Sequence, residues 1–350
     1  MNRSRDHIAG LDGLRGLAVL FVVVFHLWKE RLPGGFIGVN IFFVLSGFLI
    51  ARGMLSAPSS DRAAWMRAFW SKRLVRLIPA AFATLAIVHL VWTMAGWMDH
   101  DTKLDLLLSL FQVNNWRSIL DPRMLEVFPT PVSHFWSLSA EIQFYMVISL
   151  VYVVFRPTAK RFAIVSIVWM VTVLWLETVV DVSRTVSARS TFNRGAEFAC
   201  GILVAAFVSV RRPVLQRRIG IAIQHALIGA LVIVALRASS NLSFYDRPNS
   251  FGIGVLTAVA ILVTVSTNGP GAGWLERGAL PMIGRISYGL YLFHWPFYMA
   301  IGRLGVEGDL RPLLTLVLLA LAAPASFRWF ESPLMRISRS RAAVRTRSSG

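Results

Sequence analysis

Two ionisable side chains stand in the first apolar run of the chain, Arg15 and His26 in LRGLAVLFVVVFHLW (residues 14–28). On a helix, that spacing is three turns plus about 20°, so both lie on one face, about 16 Å apart along the axis. An ionisable group inside an apolar helix is costly and points to function. A guanidinium at one end can hold an anion, and an imidazole at the other can take a proton from a hydroxyl. Each also has a plainer reading: a snorkelling arginine, and a histidine satisfied within a bundle.

Glu141 adds to the histidine. It lies in SHFWSLSAEIQFY (133–145), five residues past Trp136. Trp28 and Trp136 read as aromatic residues at the outer membrane boundary. Measured from them, His26 and Glu141 lie about 3–8 Å inside it. A carboxylate at that depth is expected to pair with the imidazole, fix its tautomer and strengthen its other nitrogen as a base. A second basic cluster, just before the third span, holds Lys72 beside the pair Arg73 and Arg76 in SKRLVRLIPAA (71–81). Three apart, they share a helix face, and the guanidinium fork suits phosphate. The plain alternative is positive-inside bias. His89, Glu177, Glu197 and His225 show no evident partner, and His294, two residues before Pro296, reads as support for a kinked backbone. No metal site is expected, since His26 and Glu141 are too few ligands. GPGAG (269–273) runs into Trp274 rather than the Lys-Ser/Thr of a phosphate-binding loop.

These residues need elements that hold them in lipid. Apolar residues make up 55% of the chain and charged residues 15%, against roughly a quarter charged in soluble domains. The mean hydropathy is +0.60. Apolar blocks approach the ~20 residues that cross hydrocarbon. About ten spans are expected, near 14–28, 36–54, 78–97, 133–155, 161–181, 194–209, 219–237, 252–267, 281–302 and 311–330. Lipid demands internally bonded backbone, and blocks this long are helices, so the fold class is an all-α integral membrane bundle. The stretch 104–113 is too short to span and reads as re-entrant or interfacial.

With ten spans, 24 of the 36 Lys and Arg residues fall on the N-terminal side, which makes both termini cytoplasmic. The net charge of +18 is then mostly this bias, and no nucleic-acid groove is expected. Cys200 is alone and reads as a buried hydrophobe. Residues 1–28 lack a small-residue cleavage site and are expected to be retained. Residues 1–336 read as one polytopic domain in the plasma (inner) membrane, and 337–350 as a basic tail that frays.

Taken together, the motifs resemble the membrane-bound acyltransferase family three. GLDGLRGLAVLFVVVFH resembles its opening motif, a basic residue and a histidine ten residues apart. GGFIGVNIFFVLSGFLI, KRLVRLIPA, SHFWSLSAEIQFY, RISYGLYLFHWPF and FRWFESPLMR follow in family order from about residue 8 to 336. The resemblance implies ten core helices and an acyl-CoA donor bound from the cytoplasm, acetyl-CoA by family habit. It implies a catalytic His26, with Glu141 in the active site and Arg15, Arg73 and Arg76 serving the donor. The acceptor would be a hydroxyl of a cell-surface glycan, a lipid-linked sugar or a secreted metabolite. Two departures stand out. The second-span motif usually has Asp where this chain has Asn40. Many relatives also carry an extracytoplasmic esterase-like domain, so transfer here would be completed by the membrane domain or by a separate extracytoplasmic partner enzyme.

On that reading His26, oriented by Glu141, takes the acceptor's proton as its oxygen attacks the thioester, directly or through an acyl-His26 intermediate. Ser46, Asn40 and Tyr145 are candidate donors to the oxyanion. The rival reading is a transporter or flippase using His26 and Glu141 as a proton relay.

Overall fold

The computed structural model describes residues 8–57, 62–121, 130–155, 158–179, 184–238, 249–267 and 273–336. The tail expected over 337–350 lies outside them. The described residues are helical, with one isolated β-bridge between Leu215 and Thr267. Among the described residues, nine helices are long and apolar enough to cross a membrane. The ninth expected span, 281–302, departs from the expectation. It is broken at Ile286 into α12 (Ala279–Arg285) and α13 (Ser287–Arg303), because hydropathy is blind to a backbone break between two apolar segments. The chain is a multi-pass membrane protein, and its helices divide into two compact units.

The first unit holds residues 1–56 and 154–287. Its helices are α1 (Ala9–Leu27), α2 (Ile37–Leu55), α7 (Ala159–Val179), α8 (Arg184–Arg189), α9 (Thr191–Arg211), α10 (Arg217–Arg237), α11 (Asn249–Ser266) and α12. Lipid gives helices no hydrophobic drive to associate, so small residues that admit close backbone approach decide which pairs pack. A Cβ at Gly47 of α2 would stand 2.1 Å from Phe198 O, and one at Gly201 of α9 would stand 2.0 Å from Val44 O. These helices meet main chain to main chain. Gly201→Ala is expected to cost about 2 kcal/mol through overpacking. Gly229→Ala, inside α10 with nothing within 4 Å of the added carbon, should be neutral or stabilising by up to about 1 kcal/mol. Thermal unfolding of both variants in one detergent checks the contrast.

The second unit holds residues 57–153 and 288–350. Its helices are α3 (Arg62–Met94), α4 (His100–Leu110), α5 (Asn114–Leu120), α6 (Trp136–Phe155, to Val153), α13 from Tyr288, and α14 (Leu310–Ser326). A π-helical turn, Phe327–Glu331, follows α14. Antiparallel α3 and α6 meet through Trp65 on Tyr152, with ring centroids 4.7 Å apart, and Arg73 over Tyr145.

The 104–113 stretch is the core of a hairpin of two short helices, α4 and α5. Asp99 caps α4, accepting from Thr102 N at 2.7 Å. Burial works against the Asp99 carboxylate, but the Thr102 bonds and the Arg303 charge outweigh it and hold the group below its usual range. The hairpin turns back at Gln112, whose φ of +57° is left-handed. Its tip reaches Gln143, two turns into α6, which donates to Gln112 O (2.8 Å) and Asn115 Oδ1 (2.9 Å). Arg117 of α5 clamps the hairpin by bonding Asp101 (2.5 Å) and Asp105 (2.6 Å) of α4. Polar backbone at such depth is tolerated only when buried in protein or lining water, and Asn114, Asn115 and Gln112 are all buried.

Candidate functional site

In the first unit, α1 is unbroken from Ala9 to Leu27, so Arg15 and His26 keep the shared face that their spacing predicts. Both are half-buried. His26 Nδ1 donates to Val22 O, one turn earlier, at 2.9 Å. A carbonyl can only accept, so the proton sits on Nδ1 and the basic lone pair on Nε2.

The first unit also carries a buried ionic cluster that the sequence reading passed over. Arg194 Nη1 meets Glu197 Oε1 at 2.5 Å within α9, and Asn40 Nδ2 of α2 donates to the same oxygen at 3.0 Å. Arg194 Nε donates to Ala188 O at 2.9 Å. All three side chains are at most 1% exposed. The amide at position 40 therefore acts as a donor to a carboxylate, which an aspartate cannot do while charged. One of its two N–H groups is given to Glu197. Asn40→Asp is expected to lose about 3 kcal/mol of stability, because two carboxylates then share one guanidinium. The loss should shrink on acidification, when a proton on either carboxyl removes the repulsion. Adding Glu197→Gln should restore the melting temperature at neutral pH.

In the second unit the structure joins Glu141 to Arg73. The Tyr145 hydroxyl donates to Glu141 Oε1 and accepts from Arg73 Nη1 at 3.2 Å. The guanidinium also lies over two rings, with its carbon 4.9 Å from the Tyr145 centroid and 5.6 Å from that of Phe69. Tyr145 is thus engaged on both sides and is no spare oxyanion donor. Trp136 is 6% exposed and belongs to the core. Glu141 sits one turn from Tyr145, close to the level of Arg76 and Leu77 on α3.

Arg76 has company of its own. Its charge reaches the carboxylate of Glu331, a 2% exposed side chain that bonds Ser326 Oγ at 3.1 Å. Tyr288 donates to Leu77 O at 2.5 Å within electrostatic reach of Arg76, Glu141 and Glu331. Outward along the Glu141 face of α6, Ser137 bonds the Tyr291 hydroxyl (2.6 Å), which donates to His134 O (2.6 Å). His294 Nδ1 donates to Tyr291 O at 2.7 Å, and its ring lies 5.1 Å from that of His134. Among the described residues no group of three His, Cys, Asp or Glu side chains could hold a metal.

A family model described as an acyltransferase domain matches residues 8–327. The chain belongs to this family. The acyltransferase is also similar to O-acetyltransferase OatA of Staphylococcus aureus (strain NCTC 8325 / PS 47), 27% identical over 355 residues, which cover 95% of this chain and 58% of that protein. It is 29% identical over 351 residues to putative peptidoglycan O-acetyltransferase YrhL of Bacillus subtilis (strain 168), covering 94% and 55%. The chain spans little more than half the length of these relatives. No solved structure matches it.

The acyltransferase thus holds its predicted residues in two groups: Arg15 and His26 on α1 of the first unit, and Arg73, Arg76 and Glu141 in the second. Glu331, Tyr288 and Arg194 were missed. Glu331 stands in FRWFESPLMR, and a carboxylate amid those apolar residues was the available signal. For Arg194 it was the i, i+3 spacing to Glu197.

Proposed function

We propose that this acyltransferase moves an acetyl group from acetyl-CoA, taken up at the inner face, to a hydroxyl of a cell-envelope glycan. The observation that carries the chemistry is the tautomer of His26, with Nδ1 bonded to Val22 O and the lone pair on Nε2. His26 Nε2 takes the acceptor's hydroxyl proton while that oxygen bonds to the thioester carbonyl carbon. The carbon–sulfur bond then breaks, and the proton passes to the leaving thiolate. The products are an acetyl ester and coenzyme A. Arg73 and Arg76 hold the donor's phosphates, with Arg15 as a third cation. Glu141 serves the reaction through Tyr145 and Arg73. The similarity to O-acetyltransferase OatA and to putative peptidoglycan O-acetyltransferase YrhL supports an O-acetyl product, and that to YrhL supports peptidoglycan as the acceptor class.

The test is incubation of the purified acyltransferase in nanodiscs with radiolabelled acetyl-CoA and isolated cell-wall glycan. Release of coenzyme A with label in the glycan is the expected result. A wild type that neither binds nor consumes acetyl-CoA would remove the donor and bring forward the transporter reading.

A further inference from the structure

Arg73 carries five N–H donors on a planar fork, and what surrounds it limits how that fork can lie. Phe69, one turn earlier on α3, and Tyr145 on α6 place rings against the guanidinium, and the two rings lie 6.1 Å apart at 77°. A guanidinium in contact with two aromatic faces is held by their quadrupoles while its edge stays available for hydrogen bonding. One edge nitrogen, Nη1, is pinned by the Tyr145 hydroxyl. That hydroxyl is itself fixed, since its proton goes to Glu141. Tyr145 is 1% exposed, whereas Arg73 and Glu141 are half-buried. The core-fixed member of the three is therefore the tyrosine. A loose positive-inside arginine would need none of this. Lys72, next in the chain, is exposed.

From this geometry we infer that Tyr145 is a positioning residue for donor recognition, and that Glu141 acts through it. The two lock the Arg73 fork so that its remaining donors face a phosphate of the donor. This deepens the proposed function and rests on its acyl-CoA donor. It separates two roles for Glu141. A carboxylate that orients His26 would affect the chemical step with either donor. One that holds Arg73 through Tyr145 would affect only donors that carry phosphate.

The experiment compares acetyl-CoA with acetyl-pantetheine, which keeps the thioester and lacks the nucleotide phosphates. Wild type, Tyr145→Phe, Glu141→Gln and the double variant are assayed in nanodiscs for thiol release. Tyr145→Phe retains the ring and loses only the hydroxyl. It should raise the acetyl-CoA KM about tenfold, leave kcat within twofold, and leave both constants for acetyl-pantetheine unchanged. Glu141→Gln should act in the same direction more weakly, because an amide oxygen still accepts from Tyr145. The double variant should be no worse than Tyr145→Phe alone, since both changes cut one chain. Equal effects on the two donors, or a loss confined to kcat, would overturn the assignment. So would independent, multiplying effects of the two substitutions. A wild type that favours acetyl-CoA while Tyr145→Phe keeps that preference overturns the role of Tyr145 alone. A wild type that uses neither donor overturns the acyl-CoA reading and this inference with it.

Discussion

Replacing His26 with alanine is expected to lower acetyl transfer by at least ~1,000-fold, within the range that general-base groups contribute. Donor affinity should be unchanged, because Arg15 stands three turns away along α1 and Arg73 and Arg76 belong to the second unit. Stability should change little, since His26 is half-buried near the end of α1. Turnover of labelled acetyl-CoA, alongside a direct binding measurement, separates these outcomes. His26→Gln is the sharper variant. Its amide can fill the same space and accept a hydrogen bond, but it cannot take a proton at neutral pH. Activity near wild type in His26→Gln would leave orientation alone as the role of this residue. Activity as low as in His26→Ala would mark the proton as the point.

The second large effect is expected from the paired arginines. A hydrogen bond from a charged donor is worth about 1.5–3 kcal/mol. Loss of both forks should therefore weaken acetyl-CoA binding by at least ~100-fold. Arg73→Ala and Arg76→Ala singly should each give a smaller loss, and Arg73→Lys should rescue poorly. An ammonium is a point charge without the planar fork, and the Phe69 and Tyr145 rings are placed for a plane. Removing Arg76 has a further consequence, because it leaves Glu331 as a buried carboxylate without its nearby cation. Arg76→Ala is accordingly expected to lower the unfolding temperature more than Arg73→Ala, whose Glu141 keeps the Tyr145 hydroxyl. Equilibrium binding of labelled donor and thermal unfolding of the same samples measure both effects.

Much of this was legible in the sequence. The apolar blocks gave α1, α2, α6, α7, α9, α10, α11 and α14 close to their places, because length and composition suffice for a helix that lipid forbids to be anything else, whereas α3 starts at Arg62, well before the apolar block expected from residue 78. The one-face relation of Arg15 and His26 followed from helical rise alone and holds in α1. What failed was what needed partners. Asn40 and Glu197 are 157 positions apart, and no local pattern reveals that an amide on α2 completes an ion pair on α9. Tyr145 was read as a free donor because its bond to Arg73 also crosses between helices. The hairpin of α4 and α5 was half visible. Its length excluded a span, but only the bonds from Gln143 show where its tip packs.

The glycine contacts of α1 bear on how the acyltransferase tolerates change. A Cβ at Gly13 would lie 1.9 Å from Leu275 O, and one at Gly284 would lie 1.8 Å from Asp12 O. On the α2 side, added carbons at Gly35 and Gly38 would meet Phe21 O at 2.3 Å and Ala18 O at 2.2 Å. The helix bearing His26 is thus seated by main chain on two sides. Main-chain atoms are common to all twenty residue types, so the valines and leucines of this helix can drift among apolar alternatives without moving the imidazole. Drift at those few glycines would displace the whole rod. The address of the base is written in the positions that carry no side chain.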